Sequence, residues 1–279
     1  MLVAVGFANS IVLLILLGLF IQSWPILAKK SILDLLLSSS WHPLNGEFGF
    51  YPFIIGTLEV TAIAMALAVP ICLLSAIYLA EYAHRRLRGL AHVVIDIMAA
   101  IPSVIYGLWG VIVVVPFVRM LGSALDTPTT GYSLLAGGMI LAIMVSPIII
   151  SVSLEVIRTV PVQARETALS LGATRWEAIK HVVLRSGLHG IFSAVVLGFT
   201  RAFGETIAVL MIVGNVPEVP SSIFDPAYPL PALLANNYGE MMSIPLYNSA
   251  LLLSAMILLL VVGAFNVTAH LTLLRIEKR

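Results

Sequence analysis

Six long apolar segments decide what this chain can fold into: Val5–Leu27, Phe53–Ala80, Ala91–Val118, Leu134–Leu154, Leu188–Val213 and Ala250–Leu274. Each is long enough to cross the hydrocarbon core of a bilayer, for which a helix needs about 20 residues. Lipid offers no water to the backbone, and a helix is the open-ended element that satisfies its own N–H and C=O groups there. The expectation is an all-α membrane protein of about six transmembrane helices. Charged residues make up 10% of the chain, against about 25% in an ordinary soluble domain. That is too little charge to cover a water-facing surface, so residues 1–279 are read as a single transmembrane domain.

Prolines at Pro70, Pro102, Pro116 and Pro147 remove backbone donors inside these segments and favour kinks. The first segment has no Lys or Arg before it and outruns a signal h-region. Trp24-Pro25 and Lys29-Lys30 stand where a small-residue cleavage site would be, so a retained span is expected, with natural residues upstream of Met1. The lone Cys72 excludes a disulfide framework and a thiolate metal site; it reads as a small buried hydrophobe. A net charge of +1 excludes a nucleic-acid surface, which works by displacing counterions.

Most Lys and Arg fall on one side. One set of loops and ends holds Arg85, Arg86, Arg88, Arg158, Arg165, Arg175, Lys180, Arg185, Arg275, Lys278 and Arg279. The other holds only Lys29, Lys30 and Arg119, and Arg201 lies inside a span. The positive-inside rule makes the first set cytoplasmic and puts both termini inside.

Two connections are long. Gly214–Ser249, on the outside, is rich in proline and has no Lys or Arg; it reads as an irregular loop or as a surface for an extracytoplasmic partner. The inner one, Glu155–Gly187, has internal order. Pro161 suits a first helical turn, Gln163–Leu171 holds no helix breaker, and Gly172 can take the left-handed stop conformation. A second segment, Ala173–Leu184, places Trp176, Ile179 and Val183 on one face, as for packing along a membrane surface or on the bundle. Residues 156–186 are thus expected to form an elbow carrying a short rigid helix below the bundle.

Inside the fifth segment Arg201 and Glu205 stand four residues apart, on one face if the helix is continuous. Ala194, Gly198 and Ala208 share that face and would admit a close neighbour. A mid-span charge costs roughly 2.5–3.5 kcal/mol on insertion scales, so such residues face a polar interior. They either satisfy one another and lock two helices, or line a solute route. Glu59 and Asp96 fall near segment ends and receive no role.

Glu166-Thr167-Ala168, three residues, Gly172, nine residues and Val182-Val183-Leu184-Arg185 resemble the EAA pattern of ABC importer permeases. Thr167, Val182 and Arg185 depart from it. Ala99-Ala100-Ile101-Pro102-Ser103-Val104-Ile105-Tyr106-Gly107-Leu108-Trp109-Gly110 is similar to a signature of phosphate-specific ABC permeases. So are Gly56-Thr57-Leu58 and the stretch from Phe199-Thr200-Arg201-Ala202-Phe203-Gly204-Glu205-Thr206 to Met211. The Ala208-Val209-Leu210-Met211 continuation resembles PstC-type subunits more than their PstA-type partners.

The resemblance implies a type I ABC importer permease (MetI-like) fold in a bacterial inner membrane. It implies as partners a second, PstA-type permease, two PstB-type ATP-binding subunits and a PstS-type phosphate-binding protein outside. It assigns Arg165, Glu166, Thr167, Ala168 and Gly172, in the 161–172 helix, to ATPase coupling. Arg201 and Glu205 would then line the anion route. A guanidinium fork suits an oxyanion, and a carboxylate could accept the P–OH proton that sulfate lacks.

The chain has no Gly-x-x-x-x-Gly-Lys-Ser/Thr loop, so ATP would be bound by a partner and no cofactor is expected here. His42, His84, His92, His181, His189 and His270 have no metal-ligand spacing. Rival readings are a permease for tungstate, molybdate or sulfate, and an ATP-independent secondary transporter. The latter would show internal repeats or a chain of ionisable residues through several spans. An intramembrane enzyme would need a nucleophile–base pair or a metal cluster, and none is visible.

Overall fold

The computed structural model describes residues 2–277; Met1, and the Lys278 and Arg279 counted in the charge asymmetry, lie outside that range. The architecture is helical, with a two-stranded antiparallel hairpin (Trp41–His42 with Glu47–Phe48). Among the described residues five helices are long and apolar enough to cross a membrane, or up to six if one bent pair counts as a span.

The first span is the helix Leu2–Leu27, the second Tyr51–Glu81, the fourth Leu134–Thr159 and the sixth Pro245–Glu277. Pro70 and Pro147 lie inside their helices. The second and fourth spans form the centre, where small residues let the backbones approach. A Cβ added to Gly138 would fall 2.4 Å from Ile63 Cγ2, and one on Gly137 would fall 2.9 Å from Val60 Cγ2. Cys72 is fully buried nearby, among Ala68, Val145 and Ile149.

Two expected continuous segments are broken. Ala91–Val118 is divided at Ile101–Pro102 into an amphipathic helix, Arg85–Ala100, and the third span, Ser103–Ala124. Pro102 disfavours helical geometry in the residue before it, and Ile101 is extended at φ −66, ψ 125. Leu188–Val213 is divided as well. The helix Leu188–Phe203 stops, Gly204–Thr206 is non-helical, and Ile207–Ile212 resumes.

The proline-rich Gly214–Ser249 stretch is not an irregular loop. It carries the helix Leu230–Asn237, whose first four residues are buried, and the sixth span already begins at Pro245. Leu230 and Leu233 pack with Phe50, Phe53 and Tyr247 in one apolar cluster. The Asp225 and Ile223 carbonyls accept from Leu134 and Leu135 N–H, so the stretch also caps the fourth span. These contacts define one end of the bundle. The arginines of the turn after the second span and of the elbow define the other.

Candidate functional site

The elbow begins where the fourth span ends. Val160 and Pro161 are extended, and the chain restarts as the helix Val162–Ser170. Gly172 closes that helix at φ +88. Its N–H bonds the Leu169 carbonyl at 3.0 Å, and Ala173 N–H bonds that of Ala168 at 3.1 Å. These two bonds make the Schellman stop that a left-handed glycine permits.

No residue of this short helix is buried in the chain, and Leu171 beyond it is 83% exposed. Glu166 and Thr167 are exposed and Ala168 is half-buried. The arm that follows starts in a capping box between Thr174 and Glu177. Ile179 and Val183 are buried, but Trp176 is half exposed, so the expected three-residue apolar face reduces to two. A π-turn, Ile179–Val183, lies within the arm. The arm Arg175–Ser186 then meets Leu188–Phe203 at 70°, a turn made at Gly187.

Arg165, unlike the exposed Glu166 and Thr167, turns inward. Its Nη2 donates to the Ile157 carbonyl at 2.7 Å and lies 3.1 Å from Glu81 Oε1, at ion-pair distance without hydrogen-bond alignment. The two side chains are 22% and 8% exposed. Arg175 donates to the Glu81 carbonyl and stands 4.6 Å over the Tyr82 ring. Arg88 donates to the carbonyls of Leu79, Ala80 and Ala83. A helix leaves its last carbonyls without intrahelical partners and with partial negative charge. Three guanidinium groups from three elements therefore converge on the end of the second span. Glu81 and Arg88 were not singled out in the sequence; the signal was the density of arginine around that segment's end.

The second candidate lies at the break in the fifth span. Arg201 sits in the last turn of Leu188–Phe203, and Glu205 lies in the non-helical link, so the two do not share a helix face. Both are half-buried, and among the described residues neither forms an ion pair or a side-chain hydrogen bond. Tyr106 of the third span donates its hydroxyl to the Met98 carbonyl at 2.8 Å. Ala194 and Gly198 are buried, Gly198 against Ile149 of the fourth span. Thr200 reaches Asn266 of the sixth span at 3.2 Å.

The two long signature stretches meet in space. Ile207–Ile212 packs on Ser103–Trp109, where a Cβ on Gly107 would fall 3.2 Å from Ala208 Cα. Gly110 faces Ile212 and Ile140 as closely. Glycine at these positions lets the resumed half-helix lie against the third span.

Comparison with known proteins gives the same placement. Residues 68–274 match the family described as binding-protein-dependent transport system inner membrane component. The phosphate transport system permease protein PstC of Xylella fastidiosa (strain 9a5c) is 37% identical over 87% of this chain and 79% of its own length. The PstC of Mesorhizobium japonicum is 36% identical over 98% and 89%. The probable ABC transporter permease protein YqgH of Bacillus subtilis is 36% identical over 84% and 75%. In fold the chain is similar to a chain of the inward-facing MetNI methionine ABC transporter, with TM-score 0.62 at 17% identity over 85% of this chain and 99% of that one. It is likewise similar to a chain of a bacterial alginate importer, with TM-score 0.57 at 16% identity over 96% and 98%. The fold is thus that of the MetI-like ABC importer permeases, and the chain belongs to the binding-protein-dependent transport system inner membrane components, among the PstC-type permeases.

Proposed function

We propose that this chain is one of two permease subunits of an ATP-driven phosphate importer and that it couples to a separate ATPase through the 161–172 elbow. The carrying observation is the helix Val162–Ser170, which buries none of its residues in its own chain. A helix so short is marginal alone, and a partner's groove is the surface that would complete it. The arginine-rich end is cytoplasmic by the positive-inside rule. A PstA-type permease would supply the other half of the pathway, two PstB-type subunits the ATP sites, and a PstS-type protein the phosphate, delivered at the opposite end. The relatives named for phosphate transport support that cargo.

Within the pathway, Arg201 and Glu205 are the groups for the anion. Irregular backbone at membrane depth occurs where it is buried in protein or lines a water-filled cavity; Glu205 lies in the Gly204–Thr206 link and Arg201 in the helical turn just before it, both half-buried and, among the described residues, without an ion pair. Arg201 would hold the oxyanion with its fork, and Glu205 would accept a P–OH proton. The chain itself performs no chemistry in this reading; ATP binding and hydrolysis in the partners rock the two permeases between outward and inward states.

The test is ATP-dependent phosphate uptake into vesicles carrying the assembled complex, with sulfate, molybdate and tungstate as competitors. Uptake that requires ATP and survives excess sulfate supports the reading. Preferential uptake of a competitor reassigns the cargo, and uptake without an ATPase chain overturns the assignment.

A further inference from the structure

The inward turn of Arg165 separates it from its neighbours in the elbow helix. Glu166 and Thr167 point to where a partner would sit, whereas Arg165 bridges two spans of its own chain: Glu81 at the end of the second and Ile157 near the end of the fourth. These two spans pack closely, with Gly137 pressed against Val60 and Gly138 against Ile63. The elbow helix has covalent links to the fourth span through Val160–Pro161 and to the arm through Gly172–Ala173. It has none to the second span. Arg165 is the side chain of that helix that makes the missing link by charge.

We propose that the Arg165–Glu81 pair is the strut that makes the second span move with the elbow, so that Arg165 is a positioning residue and not a docking contact. The inference rests on the coupling role proposed above for the 161–172 helix. Three features of the site carry it. The Glu81 side chain is 8% exposed, so its carboxylate faces the protein more than water, where an ion pair is screened. The same guanidinium nitrogen that faces Glu81 is hydrogen-bonded to the fourth span, so displacing the elbow pulls on both spans together. Arg175 from the arm holds the Glu81 backbone carbonyl, which fixes the receiving end of the strut. A pull on the elbow is therefore delivered to the central helix pair at one residue.

The experiment uses the complete transporter in proteoliposomes, with Glu81→Gln, Arg165→Gln and the reciprocal exchange Glu81→Arg with Arg165→Glu. Three quantities are read: ATPase subunit retained on purification, ATP hydrolysed, and phosphate moved per ATP. The expected result for each single variant is full retention of the ATPase, continued hydrolysis, and phosphate per ATP reduced about ten-fold, the effect of withdrawing one charge-assisted contact. The exchange should recover at least part of that ratio. Where a single variant assembles poorly, Arg165→Lys keeps the charge without the fork and should fall between wild type and Arg165→Gln.

Loss of ATPase retention in Arg165→Gln with none in Glu81→Gln would make Arg165 a docking residue and overturn the strut. An unchanged ratio in both variants would do the same. Failure of the wild-type chain to hold an ATPase at all would sink the functional reading itself, a result distinguishable from either.

Discussion

Thr57, in the second span, is held between two elements: its hydroxyl donates to the Phe53 carbonyl at 2.6 Å and accepts from Leu230 N–H at 2.9 Å. Gly56 beside it meets Ala227 closely, since a Cβ there would lie 3.3 Å from Ala227 Cβ. The pair thus forms the seat for the proline-rich connection. Thr57→Val keeps the shape and strips the acceptor, leaving a buried backbone N–H unsatisfied at a cost of about 1–3 kcal/mol. Thermal unfolding in detergent should show that loss, and Thr57→Ser should restore wild-type behaviour. Equal midpoints for Thr57→Val and wild type would remove the hydrogen bond from the account.

Because, among the described residues, Arg201 and Glu205 form no ion pair or side-chain hydrogen bond, their replacement should separate transport from stability. Arg201→Gln is expected to leave the melting of the assembled complex within about 0.5 kcal/mol of wild type while phosphate uptake falls at least about ten-fold. Glu205→Gln should spare stability in the same way and narrow the discrimination between phosphate and sulfate. Wild-type uptake in both variants would leave these residues without a transport role.

At Gly107 the expected effect is steric. An alanine Cβ would press 2.7 Å from Met211 Sδ and 3.2 Å from Ala208 Cα. Gly107→Val adds two methyls to that gap and should cost about 1–3 kcal/mol by overpacking. Cysteine pairs bridging the third span and Ile207–Ile212 would report the displacement as slower disulfide formation; an unchanged rate contradicts the close approach.

Gly172 tests the backbone alone. Its φ is +88, and an added Cβ would meet nothing within 4 Å, so Gly172→Ala is strained without any clash. The left-handed penalty is about 1–2 kcal/mol, enough to fray the last turn of the elbow helix. ATPase subunit retained on purification should fall, with the membrane insertion of the permease unchanged. Full retention would show that the helix tolerates another ending.

Asp225 supplies a pH dependence at the opposite end. The Ser221 hydroxyl, and then the Ser221 and Ser222 N–H groups, hold its carboxyl below the usual carboxylate range. A depressed folded value means that the contribution is present above the unfolded value of about 3.9 and is lost as pH falls through the folded one. The melting midpoint of the wild type should therefore drop more steeply below about pH 4 than that of Asp225→Asn. Parallel curves would mean that this turn does not couple to stability.

Most of the chain's fate was legible in one dimension. The spans and the elbow are local properties: runs of apolar residues fix what lipid will accept, and Pro161 and Gly172 bracket the short helix by backbone geometry alone. The charge asymmetry gives the orientation proposed for the bundle in the same way. The Arg201–Glu205 spacing misled because a single glycine weakens a helix by only about 1 kcal/mol. Whether the helix breaks is decided by what lies beyond, here Ala208 seated on Gly107 of the third span. The inward turn of Arg165, the arginine clamp on the second span and the buried Leu230–Asn237 helix are likewise products of packing. Each joins residues far apart in sequence, and periodicity reports only which way a residue faces, not which partner it meets.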